Sequence, residues 1–152
     1  MNYIVHTDGG ARGNPGPSAI GVFVQSCTCS DMRHCAEREK TTIASIGKTT
    51  GEGTNNVAEY AAVVEALRFL ANHIQTHKEG VTDVAFYLDS TLVVNQLNGI
   101  FKVKDPTLRG LLTVAHTLEG EVGGRITYAY VPREQNYEAD ALVNKALDEA
   151  GY

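Results

Sequence analysis

The hydrophobic period of this chain changes at Val57. Before that point, short apolar and β-branched runs alternate with turns. YIVHTD (3–8), AIGVFVQSCTC (19–29) and KTTIASIGK (40–48) have the composition of strands. From Val57 onward the apolar residues recur at three- and four-residue steps: Val57, Tyr60, Ala61, Val64, Leu67, Ala71 and Ile74. A chain that opens on three strands and then mixes strands with helices is constrained to a sheet with helices packed on its faces.

The rest of the chain fits that constraint. TDVAFYLD (82–89) is a fourth strand. STLVVNQLNG is a short helix capped by Ser90 and stopped by Gly99. TLRGLLTVAHTLE (107–119) is an amphipathic helix in which Gly110 is a mild flaw. RITYAYV (125–131) is the fifth strand and YEADALVNKALDE (137–149) the last helix. The order βββαβααβα places the chain in the α/β class, as one domain over 1–152. GGARGNPGP reads as a loop and TGEGTNN as a break after the third strand. Asn55 or Asn56 is expected to cap the first long helix, with Glu59 in its first turn, where the dipole favours an anion. The acidic end, LDEAGY, reads as a frayed helix terminus.

Four carboxylates stand out against this frame: Asp8, Glu59, Asp89 and Asp140. Each follows or enters a hydrophobic segment. Asp8 and Asp89 fall at or near the C-terminal ends of two strands, which as parallel neighbours would hold them side by side. Glu59 and Asp140 sit near the starts of helices that could dock at that edge. Taken singly, each acid could be a cap or a strand-end charge. Taken together, converging acids repel and are costly to desolvate, so a fold that gathers them needs cations. Hard oxygen ligands suit Mg²⁺ or Mn²⁺, and such a set is suited to two-metal phosphodiester hydrolysis. The neighbours agree with that chemistry. Gly9 and Gly10 follow Asp8 and let a bulky ligand approach the backbone. Thr54, Asn55 and Asn56 precede Glu59 at a helix start, where phosphates bind. Ser90 and Thr91 follow Asp89.

Composition narrows the partners. Hydrophobic residues make up 43% and charged residues 20%, as in soluble globular proteins. No run of about 18 apolar residues predicts a membrane span, and the N-terminus lacks targeting features, so the expectation is a cytoplasmic protein with no membrane contact. Acids outnumber bases 18 to 13, for a net charge of -5. That excludes a general nucleic-acid coater but not a nuclease, because ions at an acidic centre reverse the local field. Cys27, Cys29 and Cys35 cluster with His34. Their spacing departs from that of zinc sites, and the other reading is a hairpin with cysteines on one strand face and across a turn. Oxidation would pair Cys29 with Cys35, against a reducing cytosol.

Four segments carry a family resemblance: TDGGARGNPGPSAIGV, TNNVAEYAAVVEAL, LDSTLVVNQLNGIFKVKDPTL and VPREQNYEADALVNKAL. Together they resemble type 1 ribonuclease H over nearly the whole chain and in the family's order. The resemblance implies a ribonuclease H-like fold, with a five-stranded mixed sheet in order 3-2-1-4-5 flanked by helices. It implies an endonuclease that cuts the RNA strand of RNA–DNA hybrids, leaving 5′-phosphate and 3′-hydroxyl ends. Asp8, Glu59, Asp89 and Asp140 match the family's metal-binding catalytic acids, with Asp8 the central one and Asp140 on a helix that can shift. In that scheme two Mg²⁺ ions serve, with Mn²⁺ as substitute; one activates water and the other stabilises the leaving oxygen. Asn14 and Asn56 match minor-groove contacts and Thr54 a DNA-phosphate contact. Gly9, Gly10, Ser90 and Thr91 match the places where ribose 2′-hydroxyls are read.

The chain departs from the family pattern in two ways. Many relatives carry a histidine in the loop before the last acid; here PREQNYE has none. Glu134 or Arg133 could take its role, Glu134 being preferred because a carboxylate can bind a metal; the bland reading is a solvated loop. The chain also has no tryptophan and no long basic protrusion after the third helix; Lys102 and Lys104 are its remnant. The expected form therefore lacks both the protrusion and an N-terminal hybrid-binding domain, and acts as a monomer. His6 shares the strand with Asp8 and reads as a core histidine. The competing readings are a catalytically silent hybrid-binding module and a related nuclease acting on DNA.

Overall fold

The computed structural model describes residues 1–28, 35–81 and 83–152. Its elements are β1 (Asn2–Ala11), β2 (Gly16–Cys27), β3 (Lys40–Gly53), α1 (Asn55–His77), β4 (Asp83–Leu88), α2 (Thr91–Leu97), α3 (Pro106–Val122), β5 (Arg125–Tyr130) and α4 (Tyr137–Glu149). The sheet order is β3-β2-β1-β4-β5. β1, β2 and β3 form an antiparallel meander, and β4 and β5 add in parallel to β1.

The two faces of the sheet are covered differently. On one, α1 packs its apolar stripe against β1 and β2. Tyr3, Val5, Val22, Tyr60, Val63, Leu67 and Phe86 form a continuous buried core there, extended by Ala115 and Val122 of α3. On the other face, α4 lays Val143, Ala146 and Leu147 against Ala19. Glycines decide how close α4 comes. Gly21 of β2 and Gly47 of β3 are register partners. A Cβ at Gly21 would stand 2.1 Å from the Ala139 carbonyl oxygen, and one at Gly47 would stand 2.7 Å from that of Leu142. A glycine inside a strand often marks such a close backbone approach.

Element order and topology are as the sequence implies, while several boundaries and caps differ. β1 runs through the Gly-Gly pair to Ala11, so Asp8 lies within the strand, paired with Gly21. The reason is that β2 supplies partners as far as Ser18, and a ladder partner overrides the weak strand preference of glycine. β3 likewise continues to Gly53 against Gly16. The cap of α1 is Thr54, whose hydroxyl accepts from the Val57 amide at 3.2 Å. Glu59 thereby falls beyond the first turn, outside the reach of the helix dipole. The last residues fold back on α4: the Tyr152 amide donates to the Leu147 carbonyl at 2.9 Å. Cys35 pairs with Cys27 in a disulfide, not with Cys29. Cys29 and His34, and with them the zinc reading, lie outside the described residues. Among the described residues, no helix is long and apolar enough to cross a membrane.

Gly110 offers a stability test with no site involved. It lies inside α3, and a Cβ there would meet nothing within 4 Å. Gly110→Ala is expected to stabilise the protein by about 0.5–1 kcal/mol, raising Tm by roughly 1–4 °C in a thermal melt. A lower Tm would contradict this account of α3.

Candidate active site

The parallel register of β1 and β4 positions the first two acids. Pairing runs from Asn2↔Asp83 to His6↔Tyr87. The same register carried two residues further sets Asp8 opposite Asp89, just past the end of β4. The side-by-side placement expected from strand ends is therefore reached, although β1 itself continues. Asp8 is buried, at 7% exposure. Its carboxyl accepts from the Gly9 amide and shares a hydrogen bond with Asp140. Burial first, and then the charges of Asp89 and Asp140, push Asp8 far above the usual carboxylate range.

Gly9 brings the third acid in. A Cβ there would stand 2.2 Å from the Ala58 carbonyl carbon and 2.4 Å from the Glu59 nitrogen. Only a bare strand admits the α1 backbone at that distance, and Glu59 arrives with it. Burial, then the charge of Asp89, raises Glu59 to about 7, opposed by a hydrogen bond from Ser90 and the charge of Arg133. Its Oε2 is buried with no hydrogen-bond partner. The row of glycines under α4 completes the group by seating Asp140, in the first turn of α4, against Asp8. A cleft of about 380 Å³ is lined by Asp8, Glu59 and Asp140 together with Gly9, Gly10 and Arg133.

These groups fit divalent cations. The donors are all hard oxygens, two of the acids hold protons well above their normal range, and one buried carboxylate oxygen is unpaired. Among the described residues, no three acidic, histidine or cysteine side chains enclose an ion by themselves. An ion there would need further oxygen ligands, such as water or a substrate phosphate.

Asn136 is a residue that sequence reasoning missed. It is 1% exposed. Its Nδ2 donates to the Thr7 carbonyl at 2.9 Å and to Asp89 Oδ2 at 3.4 Å. It thus ties the loop before α4 to both β1 and the acid that follows β4. An asparagine just before a helix reads as a cap, and nothing local signals that this one turns back to the sheet.

The other expected residues separate into groups. Asn14 Oδ1 accepts from the Asn55 amide at 3.0 Å, and Asn55 Oδ1 accepts from the Ala11 amide at 2.8 Å. The β1–β2 loop is thereby pinned to the start of α1. Asn14, Thr54 and Asn56 line a second cleft of about 500 Å³, which shares Asn55 with the acidic one. Ser90 caps α2 through the Val93 amide at 3.3 Å. Thr91 is exposed and lines neither cleft. Of the two residues expected to stand in for the loop histidine, Arg133 lines the acidic cleft and Glu134 does not. Lys102 and Lys104 form a third cleft with Arg109, His116 and Phe101. His6 is half-buried between Phe23 and Tyr87, and burial lowers its pKa to about 4.

Comparison with known proteins agrees with this geometry. A family model described as Reverse transcriptase-like matches residues 6–146, which include all four acids. A solved structure, LC11-RNase H1 in complex with an RNA/DNA hybrid, superposes with a TM-score of 0.82 at 38% identity, covering 97% of this chain and 98% of that one. The chain belongs to the ribonuclease H family. Ribonuclease HI of Halobacterium salinarum is 39% identical over 144 residues, 94% of this chain and 63% of that protein. Bifunctional protein Rv2228c of Mycobacterium tuberculosis is 38% identical over 150 residues, 99% of this chain. The chain spans only 36% of the length of that relative. The family's sheet order, 3-2-1-4-5, is the one found here.

Proposed function

We propose that this protein is a ribonuclease H that hydrolyses the RNA strand of RNA–DNA hybrids, with Asp8, Glu59, Asp89 and Asp140 as its metal-holding catalytic acids. The observation that carries this reading is the gathering of acids around the buried Asp8: Asp8 meets Asp89 and Asp140, and Glu59 meets Asp89. When bound, two Mg²⁺ ions would supply an activated water and neutralise charge on the leaving 3′ oxygen. The chain's own residues hold the acids in place for this. Asn136 orients Asp89, Ser90 and Arg133 hold Glu59, and Gly9 and Gly21 set the two helices at their distances. Gly9, Gly10, Ser90 and Thr91 are assigned to the ribose 2′-hydroxyls, which tell RNA from DNA. Asn14, Thr54 and Asn56 are assigned to the minor groove and the DNA strand. Mn²⁺ as substitute, 5′-phosphate and 3′-hydroxyl ends, and a cytoplasmic monomer of one domain complete the reading.

The direct test uses an end-labelled RNA–DNA hybrid beside the same sequence as duplex DNA and as single-stranded RNA. Internal cuts confined to the RNA strand of the hybrid are expected. Equal cutting of the DNA duplex would instead make this a DNA nuclease. Tight hybrid binding without any cut would make it a silent module.

The raised acids also set a pH dependence. In the folded protein Glu59 keeps its proton up to about pH 7, whereas the unfolded chain releases it near the ordinary glutamate value of 4.5. Asp8 shifts in the same direction. Their contribution to stability is full below the unfolded values and is lost as pH rises through the folded ones. With chelator present, Tm should therefore fall between about pH 5 and pH 8, and Mg²⁺ should raise Tm more at pH 8 than at pH 5. A melt indifferent to both pH and Mg²⁺ would contradict the clustering.

A further inference from the structure

Arg12 places a positive charge in a cleft dominated by acids. It follows β1 and lines the same cleft as Asp8, Glu59 and Asp140. Among the described residues, Arg133 is the other cation in that lining, and its charge acts on Glu59. Arg12 turns instead to the far end of α4. Its guanidinium is held by Asp148 Oδ1 at 2.7 Å and donates to a main-chain oxygen of Tyr152.

This pair is built to exchange. The Arg12 side chain is 36% exposed and that of Asp148 is 67% exposed. An exposed ion pair contributes at most about 1 kcal/mol, so the fold does not depend on it. A phosphodiester offers a guanidinium the same forked, charge-assisted geometry as a carboxylate. A strand whose scissile phosphate met the acids would pass the cleft that Arg12 lines. The chain's net charge of -5 gives a polyanion no general attraction, so single cations beside the acids weigh more.

The geometry points to Arg12 as a backbone-phosphate clamp for the bound hybrid, held in reserve by Asp148 until a phosphate displaces it. The inference rests on the hybrid as substrate, as proposed above. It assigns Asp148 a competing role: this acid opposes binding without touching the substrate.

Steady-state cleavage of a labelled hybrid in Mg²⁺, repeated over a salt series, tests it. Arg12→Ala should raise KM about five- to tenfold with kcat within about twofold, and lessen the salt slope of log KM by about 0.7–0.9, one phosphate contact. Arg12→Lys should recover part of the affinity. Asp148→Asn should lower KM about two- to threefold, and that gain should vanish when Arg12→Ala is present. An unchanged KM and salt slope in Arg12→Ala, or a raised KM in Asp148→Asn, would overturn the clamp. If the wild type cuts nothing, the nuclease reading fails by itself. The same variants then decide the clamp by fluorescence anisotropy of the labelled hybrid over the same salt series.

Discussion

Asp8→Asn is expected to reduce kcat on an RNA–DNA hybrid by at least about a thousandfold, equivalent to about 4 kcal/mol of transition-state stabilisation. Asp8 is the acid that meets two others, Asp89 and Asp140, so in the proposed mechanism it would be the one to serve both cations. Asparagine keeps its size and one acceptor oxygen but removes the charge. The same substitution should leave the fold intact. A buried carboxyl beside two like charges costs stability, and a neutral amide relieves that cost. In chelator the variant's Tm should equal or exceed that of the wild type, with the largest gain near pH 8. Full activity of Asp8→Asn with either Mg²⁺ or Mn²⁺ would remove the assigned centre. A large drop in Tm would recast Asp8 as a structural residue.

Gly21→Ala is expected to be the most disruptive single-methyl change considered. Its Cβ would stand 2.1 Å from the Ala139 carbonyl oxygen and 3.1 Å from the carbonyl carbon and from Leu142 Cβ. The nearest obstacle is backbone, which cannot rotate away. Either α4 lifts from the sheet or β2 bends. Overpacking of this kind costs about 3 kcal/mol, a fall of roughly 6–12 °C in Tm for a chain of this size. Asp140 is one residue from the contact and moves with α4, so kcat/KM should fall more than tenfold even well below Tm. The contrast with Gly110→Ala makes the point specific, since the same substitution in open space is expected to stabilise. Gly21→Ala with wild-type Tm and wild-type activity would show that the glycine row does not seat α4.

The sequence points to the proposed acids more clearly than it shows how they are held. The period change at Val57 and the strand composition of 3–8, 82–89 and 125–131 lead to the right order of elements, because amphipathic pattern is a local property. The sheet order came from the resemblance, since pairing between β1 and β4 joins segments about eighty residues apart and no local pattern encodes it. Boundaries failed where tertiary partners outweighed composition. Gly9 and Gly10 look like a turn and are strand, because β2 offers a ladder beside them. Asn55 looks like a cap, but its side chain serves the Ala11 amide while Thr54 caps the helix. Gly21 and Gly47 give no signal as a pair until β2 and β3 are in register. Asn136 and Arg12 are legible only in the fold, since the partners of each lie more than 40 residues away.

The most direct measurement is the initial rate of hybrid cleavage against Mg²⁺ concentration, for the wild type beside Asp8→Asn, Glu59→Gln, Asp89→Asn and Asp140→Asn. One metal-holding unit predicts no cleavage in EDTA, a rate in the wild type that rises with Mg²⁺ and saturates, and losses of at least about a hundredfold in all four variants at every concentration. Cleavage that persists in EDTA, or Asp8→Asn and Asp89→Asn variants that cut at the wild-type rate, would contradict it.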